Sequence, residues 1–239
     1  MPFFRWFRSP KISLVHATRG RAGQALVCRD NWLKAAAQPD EIEHVFGVDA
    51  DDAETLKAVA HLPHRIVTQP GGGCVAAWNA AAEGCKGKVL LQLSDDWLPL
   101  PHWDQELLKR IGNLHRSAVL RISDGHRQDD LLCMAILTRA RLKQQGWFLP
   151  PAYTGVYSDD EFSFRAFDDG VLIEARDLVF THQHPNYDAS VPMDETYQRQ
   201  NDNARYAEAK KVFLERNPAA KKRWFVKDHW ERRFVPATK

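Results

Sequence analysis

The chain has 239 residues, of which 44% are hydrophobic and 27% charged. That is apolar enough to bury a sizeable core and excludes a disordered chain. The net charge is only +2, yet it is segregated. Residues 1–24 carry five Lys/Arg and no acid, residues 208–239 carry ten Lys/Arg against four acids, and the stretch between is left with a balance of −9. No apolar run approaches the roughly 18 residues needed to cross a bilayer. The opening Met1–Pro10 lacks the continuous apolar centre of a secretory signal. Four cysteines (28, 74, 85 and 133) stand far apart with no C-x-x-C pair. That spacing argues against structural zinc or a disulfide scaffold, and for free thiols in a reducing cytoplasm.

In chain order, Ile12–His16 reads as a buried strand entering the tight loop Ala17–Arg21. Ala22–Ala37 reads as a helix stopped by Pro39, and His44–Val48 as a second strand ending in Asp49-Ala-Asp-Asp52. A short helix follows from Asp52 to about His61, capped by Asp51 with Glu54, and Arg65–Val67 is a third strand. The Gly71–Gly73 loop leads into a small-residue helix, Val75–Ala82. Val89–Leu93 is a fourth strand running into Ser94-Asp-Asp96. Strands alternating with helices of this length predict βαβ units: an α/β fold with a mostly parallel, Rossmann-like sheet and helices on both faces. In such sheets ligands bind outside the carboxyl ends of the strands. Thr18, Arg19 and Arg21, Asp49 and Asp51, and Asp95 and Asp96 are therefore expected to converge on one crevice.

The second half is less regular. Ala118–Ile122 and Leu131–Leu137 read as an antiparallel pair, and Arg139–Gln145 as a helix closed by Gly146. A helix opens at Ser158, with Ser158 and Glu161 spaced as a capping box. Val171–Ala175 and Leu178–Thr181 read as two strands leading to His182-Gln-His184. Residues 195–217 have a helical pattern, and Lys221–Arg233 is basic with interleaved aromatics.

Two carboxylates at the end of a buried strand repel each other unless a cation or a helix N-terminus compensates them. Asp95 and Asp96 are thus candidate ligands for a hard divalent ion, with a capped polar turn as the alternative. His182 and His184, two apart in a strand, face the same side and could share one ion. Arg21 has the planar fork that suits phosphate. His16, on an apolar strand, reads as a satisfied core residue. Trp147, Phe148 and Tyr153 offer aromatic faces for an acceptor sugar or for the core.

In order and spacing, five segments resemble glycosyltransferase family 2, the nucleotide-sugar transferases of A-type fold. They are Ser13–Arg21, Val45–Thr55, Gly72–Asn79, Val89–Pro99 with Ser94-Asp95-Asp96 in place of Asp-X-Asp, and Tyr157–Arg165. Ala50 and Trp78 depart from the family pattern of Asp and Arg. The resemblance implies a metal-dependent, inverting transfer of sugar from a nucleotide-diphosphate sugar, with a UDP-sugar the preferred donor, to a hydroxyl acceptor. It implies that Thr18, Arg19, Arg21, Asp49, Asn79 and Asp95 contact the nucleotide. Asp96 and His182 would hold Mn²⁺ or Mg²⁺, and Asp159 or Asp160 would be the catalytic base.

Three parts are expected: a basic aromatic arm at 1–11, a catalytic domain at 12–190 with donor half 12–99 and acceptor half 100–190, and a helical basic extension at 191–239. Acceptors considered are a surface glycan, a lipid-linked sugar, a protein or nucleic acid. The basic aromatic ends suit peripheral contact with the inner face of a membrane in a cytoplasmic enzyme. A nucleotidyltransferase of similar outline, or a non-catalytic sugar- or nucleotide-binding module, are the alternatives.

Overall fold

A computed structural model describes residues 9–68, 71–200, 203–225 and 231–237. Phe3–Arg8 of the expected N-terminal arm and Trp230 of the basic C-terminal segment lie outside the described residues. The strands are β1 (Ile12–Thr18), β2 (Ile42–Asp49), β3 (His64–Val67), β4 (Val89–Leu93), β5 (Trp97–Leu98), β6 (Val119–Ser123), β7 (Ile136–Thr138), β8 (Leu172–Val179) and β9 (Thr181–His182). The helices are α1 (Ala22–Ala35), α2 (Ala53–Val59), α3 (Gly73–Gly84), α4 (Trp103–Ile111), α5 (Arg139–Gln145), α6 (Ser158–Asp168), α7 (Glu195–Gln200), α8 (Asn203–Arg216) and α9 (Ala220–Arg223).

Seven strands form one sheet in the order β3-β2-β1-β4-β7-β6-β8, with β5 and β9 as a separate ribbon. The β3-β2-β1-β4 half is parallel throughout. Strand β7 inserts antiparallel between β4 and β6, and β8 returns parallel to β6. This is the expected mostly parallel α/β sheet. The expected pair at 171–181 is instead one continuous strand, β8, because its pairing with β6 absorbs the irregularity as a register shift between Arg121 and Ser123.

Every residue of β1 is buried, as a central parallel strand covered on both faces requires. The side chains alternate. Val15 and Ala17 face a core shared with Val45, Val75, Ala77 and Trp78. Ile12 and Leu14 face Trp32 of α1 and Trp103 and Leu107 of α4. The tryptophans bury their rings without stranding their N–H groups. Trp32 donates to the Trp97 carbonyl (3.0 Å) and Trp103 to the Trp32 carbonyl (2.9 Å). Helix α1 stops at Ala35, before Pro39, where Asp104 accepts hydrogen bonds from the Ala37 and Gln38 amides. At its base α2 is capped by Asp52, whose side chain accepts from the Thr55 amide, rather than by Asp51.

The C-terminal helices join this core. Phe213 of α8, Ala220 of α9 and the following Trp224 are fully buried against Phe164 and Ala166 of α6. Trp224 thus turns inward instead of presenting an interfacial face.

Strand β2 and helix α3 approach so closely at Gly47 that a Cβ there would sit inside the Ala77 carbonyl. Gly47→Ala is therefore expected to destabilise the fold by about 3 kcal/mol, the upper range for overpacking a core, measured by urea denaturation. Unchanged stability would mean that β2 and α3 separate freely.

Candidate active site

Parallel pairing places the last residues of β1, β2 and β4 along one sheet edge: Thr18 is opposite Val48, and His16 opposite Leu93. Trp78, standing where the resembled family has Arg, secures this edge by donating to the Leu93 carbonyl (2.8 Å). Each acid arriving here has a defined set of partners. Arg19 forks across Asp49 (2.7 Å) and Asp51 (2.5 and 2.8 Å), and the Gly20 amide donates to Asp52 (2.7 Å). Asp95 is held on both oxygens, by His16 Nε2 (2.8 Å) and by the Thr18 hydroxyl (3.1 Å). Thr18 is buried and its hydroxyl supports Asp95.

Asp96 differs. Its Oδ2 lies 3.3 Å from His182 Nε2 and accepts from the Tyr197 hydroxyl at 2.9 Å. Its Oδ1 is buried and has no hydrogen-bond partner among the described residues. Burial opposes ionisation, but the His182 and Tyr197 contacts outweigh it and hold the carboxyl below the usual range. The β5–β9 ribbon creates this meeting by pairing Trp97 with His182, whose rings stack at 4.2 Å. His184 packs on Tyr197 (4.7 Å) and feels the Asp96 charge without a described hydrogen bond to it.

Arg21 donates to Asp194 (2.8 Å) and lies 4.2 Å from the centre of the Tyr197 ring. Asn79 donates to the Leu149 carbonyl and accepts from the Phe148 and Leu149 amides, which fastens α3 to the loop before α6. Phe148 and Tyr153 are buried in the core. Gly73, with φ of +62°, lies against the Thr154 carbonyl, so the close approach in the glycine loop is to the protein's own backbone.

Helix α6 brings three acids into its first turn, and their environments separate them. It opens from Tyr157 at φ +67°, and no side chain caps it. The expected capping box does not form: Ser158 bonds the Gly155 carbonyl, and Glu161 reaches elsewhere. Glu161 is fully buried, bonded by Arg165, by both ends of the Arg216 fork and by Tyr153. Asp160 is 2% exposed. It takes Trp224 Nε1 (2.7 Å) and Arg232 Nε (2.8 Å) on one oxygen and Arg232 Nη2 (3.1 Å) on the other.

Asp159 is partly exposed, and among the described residues its carboxylate accepts from the Asp160 amide (3.0 Å). Burial first, then the charge on Asp160, pushes its carboxyl up to about 6, against the opposing pull of Arg232 and Arg127. The Cys74 thiol, raised chiefly by burial to about 12, is influenced by both Asp159 and Asp49, which ties α6 to the donor edge.

Sequence reasoning missed His16, His44, Asp194, Tyr197 and Arg232 as parts of this site. A histidine in a strand of otherwise apolar residues was a signal for His16. His44 carries the same signal one strand later, 28 residues from His16, whereas Asp194, Tyr197 and Arg232 meet their partners from more than 70 residues away and carry no local signal.

A mostly parallel sheet with an acidic carboxyl edge and an acid-headed helix beside it is the framework of an A-type nucleotide-sugar transferase fold. The family model for glycosyl transferase family 2 matches residues 27–167, more than half of the chain. The chain belongs to glycosyl transferase family 2 and is a glycosyltransferase. Among solved structures it resembles TarS 1-349 of S. aureus, at 17% identity over 91% of this chain and 75% of that one, with a TM-score of 0.60. It also resembles the mannosyltransferase PcManGT of Pyrobaculum calidifontis, solved with GDP-Man and Mn²⁺, at 16% identity over 89% and 65% of the two chains, TM-score 0.60. At that identity the likeness concerns the fold. No curated protein matches the chain significantly.

Replacing one partner of a buried ion pair leaves the other charge uncompensated, a loss of about 3–5 kcal/mol. Arg232→Met is expected to lower unfolding free energy by that amount in guanidinium titrations. A loss below 1 kcal/mol would mean that Arg232 does not neutralise Asp160.

Proposed function

We propose that the chain transfers a sugar from a nucleotide-diphosphate sugar to an acceptor hydroxyl with inversion, using Mn²⁺ or Mg²⁺ and Asp159 as base. The observation that carries this reading is the contrast within α6. Asp160 and Glu161 are buried and neutralised by arginines, while Asp159 is left accessible with a carboxyl raised towards neutrality. That is the condition of a general base operating near pH 7.

The residues present suit a divalent cation. Asp96 offers an oxygen with no hydrogen-bond partner among the described residues, beside His182. No group of three or more His, Cys, Asp or Glu gathers among the described residues, so the protein supplies few ligands. Mg²⁺-type ions are commonly held by one or two carboxylates and completed by substrate phosphates. Bound there, the cation supplies Lewis-acid stabilisation of the departing diphosphate.

The chain's own groups do the rest. Asp95, fixed by β1, faces the ribose or diphosphate, and Asp49 with Arg19 lines the nucleobase side. Arg21 exchanges Asp194 for phosphate when the donor enters, and Tyr197 leaves Asp96. Asp159 accepts the acceptor's hydroxyl proton as the oxygen attacks the anomeric carbon. The bond from that carbon to the diphosphate breaks on the opposite side, and the nucleoside diphosphate departs with the electron pair. One displacement inverts the configuration.

Residues 12–190 form the catalytic domain in this reading, with the donor half at 12–99, the acceptor half at 100–190, and 191–239 as an extension that closes the site. UDP, UDP-GlcNAc and GDP-Man are ligands of the structural neighbours, and a UDP-sugar is the donor we favour. Glycan synthesis is the setting, and the acceptor is a saccharide, lipid-linked, protein or nucleic-acid hydroxyl. Among the described residues no helix is long and apolar enough to cross a membrane. A peripheral contact would fall to the basic ends, whose Trp224 and Arg232 are turned into the core.

Asp159→Asn is expected to lower kcat by 10²–10⁴-fold, the usual range for losing a general base, with nucleotide affinity unchanged. Undiminished transfer would remove Asp159 from the mechanism. In the wild-type enzyme a protonated Asp159 cannot accept the proton, so kcat/KM should fall as pH drops through about 6. An ordinary carboxylate would hold activity to about pH 4. The charges governing that titration are Asp160, Arg232 and Arg127, with Cys74, Cys133, Tyr157 and Tyr206 close enough to respond. Calorimetric titration with UDP, GDP and dTDP should show binding with Mn²⁺ that a chelator abolishes. Equal binding without a divalent ion would defeat the metal assignment.

A further inference from the structure

A chain of two imidazoles runs through the sheet behind Asp95. His44 on β2 and His16 on β1 are 5% and 0% exposed. His44 Nε2 lies 2.9 Å from His16 Nδ1, and His16 Nε2 lies 2.8 Å from Asp95 Oδ1. Phe46 packs on both rings, at 4.9 Å from His16 and 4.2 Å from His44. The pair thus meets Phe46 on its apolar side and Asp95 at its His16 end, while the Arg29 charge acts on His44.

The direction of the chain follows from Asp95, whose carboxylate oxygen accepts. His16 therefore donates from Nε2 to Asp95 and, on Nδ1, accepts from His44 Nε2–H. The other ring nitrogen of His44, Nδ1, is buried and has no hydrogen-bond partner among the described residues. Burial holds His44 neutral, so its one N–H is the Nε2–H that faces His16. The tautomer of a histidine is set by the bond its other nitrogen makes. With the Thr18 hydroxyl on the second oxygen, the Asp95 carboxylate is fixed in one orientation before any ligand arrives.

We propose that His16, held in its Nε2–H tautomer by His44, is a positioning residue for nucleotide binding, acting by orienting the Asp95 carboxylate towards the ribose or diphosphate of the donor. This rests on the reading of Asp95 as a donor contact. It assigns function to a histidine pair that packing alone would not need, since an aliphatic pair fills a strand core more simply. Fixing a ligating side chain through a second residue is how proteins commonly keep a binding site preorganised.

The test uses the full chain and Mg²⁺ with UDP, GDP and dTDP as probes. His16→Met removes the donor at similar bulk, and His16→Gln returns an N–H near the Nε2 position. His16→Met should weaken binding of the preferred nucleotide at least tenfold and lower the melting temperature, because it strands the His44 N–H and one Asp95 oxygen, with kcat at saturating donor little changed. His16→Gln should recover affinity to within about threefold. Asp95→Asn should bind as weakly as His16→Met, and the double variant His16→Met/Asp95→Asn no more weakly than Asp95→Asn alone. Additive losses, or normal binding by a folded His16→Met, would overturn the positioning role. Normal binding by Asp95→Asn would instead overturn Asp95 as a donor contact, and the proposal with it. A readout that needs no variant is the nitrogen-15 spectrum of wild-type imidazoles. His16 should show a protonated Nε2 and a bare Nδ1, and the reverse would exclude the relay.

Discussion

Like charges crowded at one edge of a buried sheet are the constraint around which this enzyme is built. Parallel pairing of β1 with β2 and β4 delivers Asp49, Asp51, Asp95 and Asp96 to a single edge, and α6 adds Asp159, Asp160 and Glu161 beside it. In a medium less polar than water such carboxylates raise one another's pKa unless each is paired. Nearly all of them are. Arg19 serves Asp49 and Asp51, His16 and Thr18 serve Asp95, Arg232 and Trp224 serve Asp160, and Arg165 and Arg216 serve Glu161. Among the described residues, Asp96 Oδ1 has no hydrogen-bond partner, and the partly exposed Asp159 carboxylate accepts from the Asp160 amide without an arginine bonded to it. A cation and a proton are the two species the proposed reaction requires there.

The compensating charges come from far along the chain. Arg216 and Arg232 belong to the C-terminal basic region, and their fork geometry lets each meet a buried carboxylate on two atoms. Their positive charge therefore does internal electrostatic duty, close to α6. The segment carrying Asp194 and Tyr197 has a related effect on the donor side. An acid rests on Arg21 and a hydroxyl on Asp96, so the described conformation pairs the site with itself. A donor diphosphate with its cation would substitute a stronger anion and a stronger cation for those contacts.

Much of this was legible in advance. The alternation of short apolar runs with small-residue helices predicted the parallel half, because β1 to β4 are joined by local crossovers whose elements each carry their own pattern. Asp95, Asp96 and Asp159 could be named because they sit at strand and helix ends. Ser158 and Glu161 misled, since capping-box spacing says nothing of Arg165 and Arg216, which draw Glu161 inward. The loop that Asn79 binds was equally hidden, since Leu149 lies 70 residues away. The strands read at 171–181 merged into β8 because pairing with β6 tolerates a register shift that no local signal announces.

By itself the sequence determined the fold class, the edge of the sheet where chemistry would gather and the acids that gather there. These follow from periodicity and from residues at element ends, which are local properties. Only the tertiary structure decided which acids are neutralised. It paired Asp160 and Glu161 with arginines, left Asp159 partly exposed with a raised carboxyl, and placed a histidine pair behind Asp95. The physical reason is that a carboxylate's proton affinity depends on burial and on charges within a few ångströms, and those charges reach this site from β1, β2 and the C-terminal tail, tens of residues away along the chain.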